Sequence, residues 1–231
     1  MVVATRQGLI CPPIADVIDQ RLVLDMPFGE GKGTFTKDLS GKGNHGTLNG
    51  GVSWKLLPSG IWALDFDGND DYVDCGSGAS LKNIGSAVTV EAWAKYNAYG
   101  SGGQSYSVIA VKGSPWTFLL ENPLNKIRFR VTAGGVDANA QDSVVHELNR
   151  WYHFVGTYDG ENIKIYKDGA QVGITPRTGA LAINDVTAKI GTYQGTNYNF
   201  KGLIGEVRIY SRALTPQEIL DHYIIGKEMF G

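Results

Sequence analysis

Several things are scarce in this 231-residue chain, and each scarcity excludes something. It has only two cysteines, Cys11 and Cys75, too few for a disulfide scaffold and in no Cys/His spacing that suggests zinc. One bridge and two free thiols both remain open. No apolar run approaches the length that spans a bilayer, which argues against membrane insertion. The start, "MVVATRQGLICPPIADVIDQ", lacks a basic segment followed by an apolar one, so it is not an intact signal peptide. Either the protein is not exported by that route or the chain is a domain of a longer one. Cationic residues are scattered singly, and the net charge is −2, which leaves no electrostatic case for nucleic acid.

Catalytic signatures are absent too. There is no Gly-x-Ser-x-Gly elbow and no HExxH. "GSGGQS" (100–105) lacks the Lys-Ser/Thr of a phosphate loop and has no βαβ unit around it.

Glycine, by contrast, is abundant, with 31 residues lying between apolar runs rather than at a fixed period. That pattern implies many turns and many short strands. Residues 1–20 show no clear period and read as an N-terminal arm. From residue 21 to 231 the chain reads as one domain. "AVTVEAWAKY" (87–96) alternates Val88, Val90, Ala92 and Ala94 against Thr89, Glu91, Trp93 and Lys95, and "KIRFRVT" (126–132) alternates likewise. "WALDFDG" and "DYVDC" flank Asn69 and Asp70 as a hairpin would. Asp159-Gly160 and Asp168-Gly169 carry the strongest hairpin signal, the type I′ turn with positive φ at both central residues. One helix is marked by Thr215 as N-cap, Pro216 at the first helical position and Glu218 three residues after the cap, running roughly 216–222. A dozen or so alternating strands without βαβ spacing predict an all-β, two-sheet antiparallel β-sandwich (jelly roll) with one short C-terminal helix.

"LVLDMPFGEGKG", "KDLSGKGNHGTLNG", "ALDFDGNDDYVDCG", "VTVEAWAK", "WYHFVGTYDGENIKIYKDGAQV" and "GLIGEVRIYSRALTPQEI", in that order and spacing over about residues 21–222, resemble the laminin-G-like, concanavalin A-like lectin/glucanase jelly-roll family. The resemblance implies a sandwich of two curved sheets, a binding or adhesion module with carbohydrate as the commonest ligand, and often a calcium ion. One position departs from the pattern. The family's last strand usually reads Ile-Asp-Glu-Val before Arg-Ile-Tyr, and here it reads Ile204-Gly205-Glu206-Val207.

"KDLSGKGNHG" (37–46) is where such an ion would be expected. Calcium takes six to eight oxygens, and the loop offers the Asp38 carboxylate, the Asn44 amide and backbone carbonyls at Gly41 and Gly43. By the resemblance, Glu206 of the last strand would complete the set, with Asp67 of "DFDGNDDYVD" within reach. The competing reading is that Asp38 and Asn44 satisfy backbone amides in an Asx-type turn.

A ligand site calls for aromatic platforms beside polar groups. The segments "NAYGSGGQSY" and "TYQGTNYNF" supply that mixture, with Tyr99, Tyr106, Gln194, Asn197 and Tyr198 as candidates and Trp116 at the same rim. Trp62, Trp93 and Trp151 read as packing residues, and His146, His153 and His222 as dispersed. A retaining glycosidase needs two carboxylates about 5 Å apart. The related glucanases place them on one strand as Glu-x-Asp-x-Glu or a close variant, but Glu91 and Glu121 stand alone on theirs.

The expectation is therefore a non-catalytic lectin-like module for a glycan or glycosylated surface, with structural calcium. It would be extracellular, cell-surface or virion-associated. A virion or surface component making protein contacts, as a homo-oligomer or larger assembly, is the alternative. A glycan-cleaving enzyme is the minor one.

Overall fold

The computed structural model describes residues 19–98, 105–121, 126–193 and 198–231. The expected N-terminal arm and Cys11 fall outside them. Two antiparallel sheets of eight strands face each other. In spatial order the first sheet runs β14 (Ala170–Pro176), β13 (Asn162–Lys167), β12 (Trp151–Tyr158), β7 (Val88–Tyr96), β16 (Lys201–Tyr210), β5 (Trp62–Asp67) and β4 (Ser53–Leu56), with β1 (Leu22–Met26) pairing β16. The second runs β11 (Val136–Gln141), β10 (Lys126–Ala133), β9 (Trp116–Glu121), β8 (Tyr106–Val111), β15 (Lys189–Ile190), β6 (Tyr72–Asp74), β3 (Gly46–Asn49) and β2 (Phe35–Thr36). The all-β sandwich expected from the alternation is what forms.

Period-two patterning puts one face of each sheet inward. Val88, Val90, Ala92 and Ala94 of β7 and Ile204, Val207 and Ile209 of β16 meet Phe118, Leu120, Ile127, Phe129 and Val131 of β9 and β10 in one buried cluster. The sheets leave no room for a side chain at Gly156, where a β-carbon would fall 2.6 Å from Cδ2 of Phe129. Glycine is required there by space rather than by backbone conformation. Cys75 is buried against Met26.

Two turn expectations are corrected. The "WALDFDG…DYVDC" stretch is not a hairpin, because β5 and β6 belong to different sheets. Residues 68–71 arch across the sandwich edge, held by Asp67 N donating to Asp71 Oδ2 at 2.8 Å and by the Asn199 side-chain amide donating to Asn69 O. Leu64, Phe66 and Val73 all enter the common core, and an arch lets them do so from opposite layers. Of the two Asp-Gly turns, only Asp168-Gly169 has both residues at positive φ, 50° and 81°. At Asp159-Gly160 only the glycine does, and Asp159 Oδ1 instead accepts from Glu161 N and Asn162 N.

The described residues hold two helices, the short α1 (Ala79–Lys82) between β6 and β7 and α2 (Pro216–Phe230) at the C-terminal end. Helix α2 has both bonds of the capping box that Thr215 and Glu218 announce but runs well past residue 222. It packs on the outer face of the first sheet, with Phe230 stacked 5.0 Å from Trp93. Gly226 lies inside it, a residue that costs helix stability. A β-carbon at 226 would stand 2.6 Å from Cζ2 of Trp93, so docking on the indole decides this position and propensity does not. No helix among the described residues is long and apolar enough to cross a membrane.

Candidate functional site

The glycine-rich loop at 37–46 is built around Asp38, which is buried. Its Oδ1 accepts from Asp25 N and Ser40 N, both at 2.9 Å, and its Oδ2 from Ser40 Oγ and Asn44 N, both at 2.8 Å. A carboxylate has about four lone-pair sites, and protein donors take all four. The Asn44 side-chain nitrogen donates to Val23 O and Ser80 Oγ. Gly41 and Gly43 turn the chain at φ 79° and 75°. Glu206 is engaged elsewhere, in an ion pair with Arg208. The residues expected to share a calcium therefore do not fit one at this loop; an Asx turn accounts for the Ser40 amide bond, and the Asp25 and Asn44 amides and the Ser40 hydroxyl take the remaining lone pairs. Among the described residues, only Asp67, Asp70 and Asp71 group three ligand oxygens within 4.8 Å of one another. Asp67 already binds Asn69 through both its oxygens. Asp71, pushed up to about 6 by burial, holds the Asp67 amide.

The outer face of the second sheet carries the features of a ligand site. Alternation that sends Phe118, Leu120 and Phe129 inward sends Thr117, Leu119, Arg128 and Arg130 outward. Register places Arg130 between Thr117 and Asn139, and Arg128 between Leu119 and Gln141. Tyrosines wall this lattice. Tyr106 of β8 meets Tyr198 edge-on at 5.5 Å, and Tyr198 meets Tyr193 at 6.1 Å. Tyr198 sits at φ 57° and is 37% exposed, its carbonyl tied to Val108 N at 2.8 Å. The Arg128 guanidinium lies 5.5 Å over the Tyr106 ring, while its Nη2 donates to Glu121 at 2.8 Å and to Gln141 at 3.3 Å. Arg130 pairs with Asp137. These side chains enclose a depression of about 450 Å³.

Tyr106 and Tyr198 are thus brought together as expected. Tyr99, Gln194 and Asn197 lie outside the described residues. Trp116 is a correction: it is 1% exposed and packs in the core as the first residue of β9. Tyr193, Arg128, Arg130 and Asn139 were missed, although the outward positions of "KIRFRVT" and "VDANAQ" carry the signal for three of them.

The outer face of the first sheet holds a buried ionic cluster beneath α2. Arg208 on β16 reaches Glu91 Oε1 on β7 at 3.1 Å, Asp25 on β1 at 3.3 Å and Glu206. His222 of α2 lies 3.0 Å from Glu91 Oε2, and His153 of β12 3.9 Å from the same oxygen. Two of the three histidines expected to be dispersed, His153 and His222, thus converge, because register sets His153 opposite Trp93 and the helix lowers His222 between strands. Two carboxylates absent from any single strand, Glu91 and Glu206, meet across neighbouring strands with one arginine between them.

Burial pushes Glu206 up to about 7 and His153 down to about 4. Against the cost of its own burial, Glu91 is held down at about 2 by its His222 hydrogen bond and the cationic groups around it. That hydrogen bond raises His222. His146, buried beside Tyr152 and Phe154, is also pushed down to about 4. A depressed histidine takes its proton at 6.5 when unfolded and at about 4 when folded, so stability is lost as pH falls through that window. His222 has the opposite sign, its contribution being present below 6.5 and lost as pH rises. At pH 5 each depressed histidine is expected to cost about 2 kcal/mol relative to pH 7. His153→Phe, which keeps a ring on Trp93, should recover that amount in urea unfolding at pH 5 and change little at pH 7. Equal acid sensitivity in both proteins would refute it.

No curated protein matches this chain. The binding domain of Paraclostridial Mosquitocidal Protein 1 superposes with a TM-score of 0.71 at 16% identity, over 89% of this chain and 52% of that one. The Botulinum Neurotoxin serotype G binding domain gives 0.69 at 16%, over 88% and 51%. The chain spans about half the length of these toxin domains. Domain 4 of AbnA, a GH43 extracellular arabinanase from Geobacillus stearothermophilus solved in complex with arabinotriose, gives 0.67 at 18% over 87% and 97%. At these identities the likenesses establish the fold. A sequence profile described as the concanavalin A-like lectin/glucanases superfamily matches residues 67–220, two-thirds of the chain, and the chain belongs to that superfamily.

Proposed function

We propose that this domain is a non-catalytic carbohydrate-binding module whose ligand lies in the tyrosine-walled depression on the second sheet. One observation carries the reading. Tyr106, Tyr193 and Tyr198 converge around outward Arg128, Arg130 and Asn139, which pairs flat apolar surface for sugar C–H faces with fixed donors and acceptors for hydroxyls. Cross-strand register and the Glu121 and Asp137 partners hold both guanidiniums in place, so little side-chain entropy is lost on binding. The arabinanase domain, solved in complex with arabinotriose, supports the ligand class. Export to a glycan-bearing surface follows from that class. Glu91 and Glu206, a carboxylate pair that meets across neighbouring strands, are clamped on Arg208 beneath α2.

A glycan array followed by calorimetry tests the proposal. Tyr198→Ala is expected to weaken the best ligand about fivefold, the aromatic contribution being near 1 kcal/mol. A folded protein that ignores the whole array would overturn it. The second reading, a protein-contacting surface component, has one observation in its favour. Leu220, Ile224 and Ile225 stand exposed on α2 at 37%, 46% and 64%.

A further inference from the structure

A second cavity, of about 520 Å³, is not on the tyrosine sheet. It lies on the outer face of the first sheet, where the last turns of α2 meet β7 and β12. The same register that sets Trp93 opposite His153 sets Lys95 opposite Trp151. Helix spacing then brings Tyr223 and Lys227, four residues apart, over that pair. Tyr223 stacks 6.0 Å from Trp93 and Phe230 lies 5.0 Å from Trp151, which fixes the aromatic floor. Trp151 and Tyr223 are only partly buried.

The charged side chains that line this cavity are mostly cationic. Three cationic side chains line it, Lys95, Arg150 and Lys227, against a single carboxylate side chain, Asp168. Arg150 leans on Tyr152 with its guanidinium 5.0 Å from the ring and approaches Asp168 only to 3.9 Å. Lys95 and Lys227 have no ion-pair partner among the described residues. In a chain of net charge −2, such a cavity concentrates positive potential between low-dielectric walls. Asp168 Oδ1 is fixed by His153 N at 3.0 Å, so the carboxylate is held in position with lone pairs left to accept from hydroxyls.

We propose that this cavity is a second ligand site, separate from the tyrosine-walled one, and that it takes an acidic saccharide. The pyranose face lies on Trp151 and Tyr223, its carboxylate lies among Lys95, Arg150 and Lys227, and a hydroxyl donates to Asp168. Cavities of about 300–1,000 Å³ with apolar floors and few polar groups are of ligand-binding size, and arginine presents the planar fork that a carboxylate matches. The site exists only with α2 docked, because the helix supplies Tyr223 and Lys227. It therefore does not depend on the proposal for the second sheet.

The test is calorimetry on the full chain, with tryptophan fluorescence in parallel, using digalacturonate, neutral digalactose and a sulfated neutral disaccharide. Digalacturonate is expected to bind at least tenfold more tightly than digalactose and to weaken as salt rises. The exposed substitution Lys227→Glu should weaken it at least tenfold, while Tyr198→Ala on the other sheet leaves it unchanged. Failure of digalacturonate to bind, equal affinity for the neutral sugar, or preference for the sulfated one each overturns the proposal. So does a loss caused by Tyr198→Ala in place of Lys227→Glu, an outcome that would leave the tyrosine site standing as the only one.

Discussion

Asp38→Ala is expected to destabilise the domain by about 4 kcal/mol, and by the same amount with calcium or with a chelator present. The size follows from what the carboxylate holds. Its four bonds reach the amide of Asp25 in β1, an edge strand of the first sheet, and the amides of Ser40 and Asn44 and the Ser40 hydroxyl in the loop that leads into β3 of the second. One side chain thereby staples the two layers near the amino end. Bonds to a charged acceptor contribute about 1.5–3 kcal/mol each, and buried donors left without a partner carry a further penalty. Water reaching the exposed Gly41–Lys42 segment limits the sum to less than four full bonds. Asp38→Asn should fall between, since its amide nitrogen must face the donors that Oδ2 now accepts. Urea unfolding of both variants and the parent, each in calcium and in EDTA, decides the matter. If EDTA alone destabilised the parent by a comparable amount, the loop would be organised by an ion after all, because only a ligand of the folded state stabilises in that way.

What could be read from the sequence depended on whether a local rule met a tertiary one. The sheet-forming alternation of β7 and β10 was legible because burying one face of each sheet repeats it every two residues. The capping box at Thr215 was legible because all its bonds are local. The length of α2 was not, since Gly226 looks like a stop until Trp93 is placed beneath it. The arch at 68–71 was misread as a hairpin for a related reason. A tight turn between two apolar segments reads the same whether the strands pair with each other or divide between layers. Trp116 follows a turn, as a rim residue would, yet its register opposite Val131 sends it inward. At the candidate site, Tyr106 and Tyr198 stood out by composition alone. Arg128, Arg130 and Asn139 needed the knowledge of which sheet face stays open, and that depends on α2 covering the other one. The cluster around Glu91 lay furthest from reach, because its members come from β1, β7, β12, β16 and α2.

Restoring the family's aspartate at Gly205 is expected to cost about 4 kcal/mol and to release the end of α2. The residue lies at an irregularity in β16, where the register with β7 shifts between Ile204 and Glu206. A β-carbon on it would stand 2.7 Å from Cζ of Phe230. Phe230 cannot move aside within the fold, being held 5.0 Å from both Trp93 and Trp151. A second carboxylate at 205 would also enter a neighbourhood where burial already pushes Glu206 up to about 7, so its charge would add repulsion to the overlap. The departure from the family pattern is thus the space into which this chain's own C-terminal helix packs. A double-mutant cycle separates that account from general damage to the strand. Phe230→Ala alone should cost about 3 kcal/mol. If the overlap is the cause, Gly205→Asp added to Phe230→Ala should cost about 2 kcal/mol less than Gly205→Asp added to the parent. Strictly additive losses would show that the glycine is required by the backbone of β16 and not by the helix.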